Sequence, residues 1–256
     1  MPDLVTPGDA HLAARAGQHL GRRHDRFLAV AVTGGLARTA HVGLEAGADV
    51  EIGSVSKGVT GMLFADSRSR GETTDGTRVG DLLPLDGSPA AEVTLGELAT
   101  HRSGLPRLAK GTASVRATLD LWRHGTNPYG ESLDELLVAT RGTRVGRKRS
   151  SYSNLGYQLL GHAVAAAAGT TYAFLVRDRL TEPLVLESTT VPATPADLAP
   201  GAVIGRSKRG KAMMPWTGEA LGHGLFVRAE HIGDRAVLAA AVDEGHGVDP
   251  IVDAVE

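Results

Sequence analysis

The apolar positions of the chain switch between two spacings. Residues 8–23 read as a short helix with one polar face. Arg26-Phe27-Leu28-Ala29-Val30-Ala31-Val32 is then a continuous apolar run of strand length, and Thr33-Gly34-Gly35 supplies a turn. Thr39 to Leu44 reads as a second strand, so the two predict a hairpin. From Ser54 to Arg70 the spacing becomes helical, with Val55, Val59, Met62, Leu63 and Ala65 on the inner faces and Gly71 placed to end it. Thr94 with Glu97, and Ser132 with Glu135, have the S/T-x-x-E form of a capping box and predict two further helix starts. Residues 107–130 read as a helix flanked by Gly and Pro. Leu155 to Ala168 reads as a helix stopped by Gly169, and Ala229 to Val242 as a final helix. Residues 188–222, rich in Pro and Gly, read as an irregular surface excursion. Strands at the start and helices in the middle predict an α+β fold, without internal repeats.

Composition narrows this picture. With 256 residues the chain suffices for a single domain over 1–256. It reads as a hairpin and first long helix over 25–70, a helical lobe over 71–187, and the excursion and final helix over 188–256. Aromatic residues make up only 4%, so Ala, Val and Leu must build the core. The 27 basic and 29 acidic residues nearly balance, so neither a nucleic-acid face nor electrostatic attachment to a membrane is expected. The basic clusters Arg144 to Arg149 and Arg206 to Lys211 read as solvated loops. The absence of Cys excludes disulfides and thiolate metal sites. The ten His show no metal-ligand spacing, so no metal or cofactor is expected. No apolar h-region follows a basic start, and no apolar run reaches about 18 residues. The expected location is cytoplasmic.

Candidate chemistry begins at Ser54-Val55-Ser56-Lys57. Residues three apart share a helix face, so Lys57 can reach the Ser54 hydroxyl. A serine needs an adjacent base, and a lysine can be that base if burial and the helix N-terminus favour its neutral form. The helix start also offers backbone N–H groups to a developing oxyanion. With five Lys and thirteen Ser in the chain, about 0.25 S-x-x-K matches arise by chance, so this motif alone decides little. Tyr152-Ser153-Asn154 adds more. Four Tyr and two Asn give about 0.03 chance Y-x-N matches, and this one lies directly before a predicted helix. A phenol beside Lys57 could relay the proton from Ser54 to a leaving group, and the Asn154 amide could bind Lys57 and a substrate carbonyl.

Four stretches resemble the class C β-lactamase and serine-esterase branch of the penicillin-binding-protein-like superfamily. They are Val50-Glu51-Ile52-Gly53-Ser54-Val55-Ser56-Lys57, Leu98-Ala99-Thr100-His101-Arg102-Ser103-Gly104-Leu105-Pro106, Tyr152-Ser153-Asn154-Leu155-Gly156-Tyr157 and Glu182-Pro183-Leu184-Val185-Leu186. The resemblance covers roughly residues 25 to 245. It implies a β-lactamase/transpeptidase-like fold, a helical lobe packed on an antiparallel sheet. It implies acyl transfer through a serine ester on a small-molecule or peptide substrate, without cofactor or metal. Ser54 would be acylated, Lys57 and Tyr152 would form the acid/base pair, and Asn154 would bind substrate. In the resemblance the His101 stretch looks like a structural turn, while Trp216 and Tyr129 are candidates for the cleft wall.

One part of the pattern departs. The family carries a third motif, K-T-G or H-x-G, on a C-terminal strand beside the nucleophile. Of His19-Leu20-Gly21, His41-Val42-Gly43 and His231-Ile232-Gly233, only the last is late enough, and it falls inside a predicted helix. The expectation is therefore a chain lacking the third motif and the C-terminal strands of the sheet. Either another chain completes the sheet, or the protein is a catalytically impaired or inactive relative that acts by binding or regulation, or it is a truncated family member.

Overall fold

The computed structural model describes residues 8–20, 26–33, 36–44, 48–85, 87–109, 132–206, 212–222 and 224–228. Asp9 opens the first helix, α1 (Ala10–Leu20), by accepting the Leu12 N–H at 2.9 Å. The strands β1 (Phe27–Thr33) and β2 (Leu36–Val42) pair antiparallel, from Phe27 opposite Val42 to Thr33 opposite Leu36. Leu12 and Ala13 of α1 pack on Ala31 and Ala40 of this hairpin, forming a small core of their own. β2 starts three residues earlier than the pattern predicts. Leu36, Ala37 and Arg38 are exposed, so they carry no inward apolar signal.

The larger core surrounds a buried helix, α5 (Asn154–Ala167). Against it lie α2 (Ser56–Ser69), α3 (Leu95–Ala99) and α6 (Tyr172–Val176), with α4 (Leu133–Arg141) contributing Leu136 and Leu137. Both capping boxes form: Thr94 and Ser132 accept the N–H of Glu97 and Glu135, whose carboxylates accept in return. Gly71 and Gly169 follow α2 and α5 in the left-handed conformation, at φ +73° and +68°. The buried apolar side chains of α2 are Val59, Leu63 and Phe64, while Ala65, and Val55 just before the helix, are exposed. Gly53–Val55 is a separate 3₁₀ turn with three residues per turn, which moves Val55 off the inner face. Phe64 instead of Ala65 then completes the stripe begun by Val59 and Leu63.

A second sheet holds the nucleophile candidate in place. β3 (Asp49–Glu51), β4 (Thr189–Thr190) and β5 (Phe226–Arg228) run in the order β3-β5-β4, all antiparallel. Ile52 N–H extends the pairing to the Leu225 carbonyl at 3.3 Å. The predicted helices over 107–130 and 229–242 lie largely or wholly outside the described residues.

The 188–222 segment is more than a surface excursion. Thr189 and Thr190 join the sheet, and Ala220 and Leu221 are buried. Gln158 Nε2 of α5 donates to the Ala220 carbonyl at 2.8 Å, and Thr60 Oγ1 of α2 to the Gly222 carbonyl at 3.3 Å. Backbone lies directly on backbone here. A Cβ at Gly161 would stand 1.9 Å from the Gly222 oxygen, and one at Gly222 would stand 2.4 Å from the Gln158 oxygen. Gly161→Ala is therefore expected to destabilise the fold by about 3 kcal/mol, because the Gly222 backbone must lift off α5. Thermal unfolding measures this, and an unchanged Tm would refute the close approach.

His162, one residue along α5, is buried. Desolvation pushes its pKa down to about 4, with the Ala220 and Glu219 carbonyls pulling weakly the other way. In the unfolded chain it protonates near its ordinary value of about 6.5. Between those values the unfolded state binds the extra proton, so acidification from pH 6.5 toward 4 removes stability. The slope of Tm against pH in this window is expected to flatten in His162→Gln. An unaltered slope would remove His162 as its source.

Candidate active site

Gly53 takes φ +55° just after β3, a turn that glycine makes without strain. The 3₁₀ turn that follows presents Ser54 to solvent. α2 then starts at Ser56, whose hydroxyl donates to the Gly53 carbonyl at 2.6 Å. One turn on, Lys57 is only 4% exposed, and its Nζ donates to Ser54 Oγ at 3.4 Å. From the opposite side the Tyr152 hydroxyl lies 2.7 Å from the same oxygen. Lys57 Nζ also stands 5.2 Å from the Tyr152 ring centre and 5.9 Å from that of Tyr157. Two aromatic rings thus accompany a nitrogen that has little contact with water.

Tyr152 approaches Ser54 from the segment before α5, and that segment is tied to the Thr100–Arg107 stretch. Ser151 N–H donates to the His101 carbonyl at 2.9 Å, and Ser153 N–H to His101 Nδ1 at 3.2 Å. The Ser153 hydroxyl donates to the Pro106 carbonyl at 2.7 Å and caps α5 by accepting the Gly156 N–H at 2.9 Å. The backbone N–H groups of Asn154 and Leu155 both donate to the Arg107 carbonyl, at 3.1 and 3.2 Å. Asn154 is the first residue of α5 and is buried. Ser54, Lys57 and Tyr152 are thus joined by hydrogen bonds, and Asn154 sits two residues beyond Tyr152 on the same anchored segment.

His101 plays a larger part than its reading as a turn residue implies. It takes φ +54°, and its ring lies 4.7 Å from that of Tyr152 and 4.8 Å from that of Tyr157. Burial, and then the charge of Lys57, push its pKa down to about 4. Tyr157 is held in turn by donating its hydroxyl to the Ala99 carbonyl at 2.9 Å. Nothing in the sequence announces this ring stack, since its three members come from two segments about 50 residues apart.

A small open cleft lies beside Ser54, lined by Glu51, Lys57, Trp216, Leu221 and Leu225 among others. Trp216 takes its expected place there, whereas Tyr129 lies outside the described residues. Glu51 is the member that sequence reasoning missed. Desolvation raises its carboxyl pKa, offset in part by the Trp216 N–H at 3.4 Å. The residue stands inside the Val50–Lys57 stretch, but its inward orientation depends on the pairing of β3 with β5.

Within the described residues, the strand bonded next to the nucleophile turn is β5, through Ile52 and Leu225. His41-Val42-Gly43 ends β2, and His231-Ile232-Gly233 lies outside the described residues. Among the described residues, no three His, Asp or Glu side chains are grouped so as to hold a metal ion. No single helix among them is long and apolar enough to cross a membrane.

Comparison with known proteins places the chain in a family and a fold. A family model described as Beta-lactamase matches residues 12–243. The chain is similar to the D-alanyl-D-alanine-carboxypeptidase/endopeptidase AmpH of Escherichia coli K12, 30% identical over 154 residues, which are 57% of this chain and 37% of that protein. It is also similar to penicillin-binding protein 4 of Amycolatopsis lactamdurans, 32% identical over 64% of this chain and 44% of that protein. The matches thus span less than half the length of these relatives. Among solved structures, a class C β-lactamase from Rhodobacter sphaeroides superposes with TM-score 0.67 at 24% identity, over 96% of this chain and 69% of that one. A β-lactamase/D-alanine carboxypeptidase from Pseudomonas syringae gives TM-score 0.67 at 16% identity over the same shares. The fold is α+β and of the β-lactamase/transpeptidase type, a helical lobe packed on antiparallel sheet.

Proposed function

This chain belongs to the Beta-lactamase family, and from that premise we propose that it is a serine hydrolase working through an ester on Ser54. The observation that carries the reading is the hydrogen bonding of one exposed hydroxyl to both a buried amine and a phenol, at 3.4 and 2.7 Å. Ser54 Oγ attacks the carbonyl carbon of a β-lactam, ester or D-amino-acid peptide, and the new C–O bond gives a tetrahedral oxyanion. Lys57, with Tyr152 as relay, takes the hydroxyl proton and returns it to the leaving nitrogen or oxygen as its bond to carbon breaks. The Ser54 backbone N–H, at the start of the 3₁₀ turn, is the proposed first oxyanion donor. Asn154 is the proposed substrate-binding amide. Water then hydrolyses the ester with the same pair reversed. The proposal includes a cytoplasmic location, which the cysteine-free composition fits and which cell fractionation would test.

Intact-protein mass spectrometry after incubation with a penicillin or an activated ester tests the reading. One acyl adduct is expected, located on Ser54 by peptide mapping. A chain that forms no adduct with either class of probe would be a binding protein instead. Tyr152→Phe removes only the hydroxyl and is expected to slow acylation by about 10²-fold without lowering Tm. An undiminished rate would leave Tyr152 as scaffold.

A further inference from the structure

We propose that His101 is the positioning residue for Tyr152: its imidazole and its backbone carbonyl together hold the Tyr152 hydroxyl on Ser54. The inference rests on the reading of Ser54 as nucleophile and Tyr152 as relay. It goes further by assigning the geometry of that relay to a residue that touches neither substrate nor the reacting oxygen.

The first observation is the backbone. His101 is one of two non-glycine residues with positive φ among the described residues, at +54°. Such a conformation persists where the surroundings impose it, and it occurs most at functional sites. The second is what the conformation achieves. The carbonyl of His101 accepts the N–H of Ser151, and its Nδ1 accepts the N–H of Ser153, at 2.9 and 3.2 Å. The residues on both sides of Tyr152 are therefore fixed by one residue, through two different acceptors. The third is the ring, which lies against Tyr152 on one side and Tyr157 on the other, at 4.7 and 4.8 Å. Tyr152 is 41% exposed, and beside its Ser54 bond and the Lys57 and Arg107 side chains over its ring, the His101 ring supplies its aromatic contact.

Accepting at Nδ1 fixes the tautomer, with the proton on Nε2. It also requires a neutral ring, because a protonated imidazole would set two donors against each other. The groups facing the ring from the neighbouring elements are Lys57 of α2, Tyr152 with Arg107 over its ring, and Tyr157 of α5. Of these groups, the charge of Lys57 opposes protonation of the ring. Burial and Lys57 keep His101 neutral down to about pH 4.

The experiment measures acylation of Ser54 by a fluorescent penicillin and by p-nitrophenyl acetate in four variants. His101→Asn keeps a side-chain acceptor and tolerates positive φ but loses the ring, and is expected to acylate at a rate between those of wild type and His101→Gly; a rate as low as that of His101→Gly would overturn the role of the side-chain acceptor. His101→Gly relieves the backbone but loses acceptor and ring. It is expected to acylate about 10- to 100-fold more slowly, with substrate affinity and Tm little changed. In a Tyr152→Phe background the same His101→Gly change is expected to cost less than about threefold, because His101 acts through the hydroxyl already removed. Wild-type rates in His101→Gly would overturn the proposal. So would a full additive loss in the double variant, which is the mark of a merely structural role. Imidazole ¹⁵N shifts supply a readout independent of activity. An unprotonated Nδ1 and a protonated Nε2 are expected at neutral pH, and a protonated Nδ1 there would overturn the proposal. If the wild-type chain forms no acyl-enzyme while the ¹⁵N pattern holds, the hydrolase reading falls and the His101 contacts stand.

Discussion

Ser54→Ala is expected to lower the hydrolytic rate by about 10⁴- to 10⁶-fold and to abolish the acyl adduct. The size follows from the geometry. Ser54 Oγ is the atom on which the Lys57 amine and the Tyr152 phenol converge, at 3.4 and 2.7 Å. Without it neither group has a proton to move, and only binding in the cleft and backbone donors remain to assist a water molecule. The fold has little stake in the hydroxyl, because Ser54 is exposed and, among the described residues, its side chain bonds to the other two site residues. Tm is therefore expected to stay within about a degree, in keeping with a surface substitution. Steady-state rates with a chromogenic β-lactam and an activated ester, beside the mass of the intact protein, decide the matter. A variant that turns over within tenfold of wild type would move the nucleophile elsewhere.

Lys57→Met carries the second-largest effect, about 10³-fold on acylation. Lys57 is only 4% exposed, and its amine faces two aromatic rings. Methionine fills the same space with a polarizable chain that such rings accept, so the variant is expected to fold. Alanine at this position would remove the base and leave a void as well, confounding chemistry with packing. If the neutral amine is the base, the wild-type acylation rate must climb as pH rises from mildly acidic to alkaline, because only that form can take the Ser54 proton. The Lys57→Met rate should stay low and flat across the range. A flat wild-type profile would reject Lys57 as the base, whatever the size of the mutational loss.

The parts of this molecule legible in its sequence are those governed by local chemistry. Thr94 with Glu97, and Ser132 with Glu135, announce their helices because a capping box closes within four residues. Ser54 and Lys57 can be paired from spacing alone, because one helical turn brings them together. Tyr152 stands out through its rare Y-x-N string, but nothing local says that it meets Ser54 across 98 residues. The parts that stay hidden depend on a partner elsewhere in the chain. Gly161 reads as an indifferent glycine in a buried helix, yet Gly222 makes it a point of backbone contact. The burial of Ala220 and Leu221 is masked by the Pro and Gly around them, which give 188–222 the composition of a surface loop. His101 reads as a turn residue, and only the folded chain shows its two acceptors engaged on either side of Tyr152.

The pairing of β3 with β5 bears on how the protein comes to life in the cell. β3 precedes the nucleophile turn directly, but its hydrogen-bonding neighbour, Phe226 to Arg228, lies far downstream in the sequence. Translation proceeds from the N-terminus, and a nascent chain exposes Ser54 and Lys57 long before that neighbour exists. Until residues 224–228 leave the ribosome, the turn lacks its support at Ile52 and the cleft lacks the wall formed by Leu225. Pairing so distant along the chain is also slow to form. Synthesis itself would thus act as a timer, withholding a competent site until nearly all of the described chain has been made.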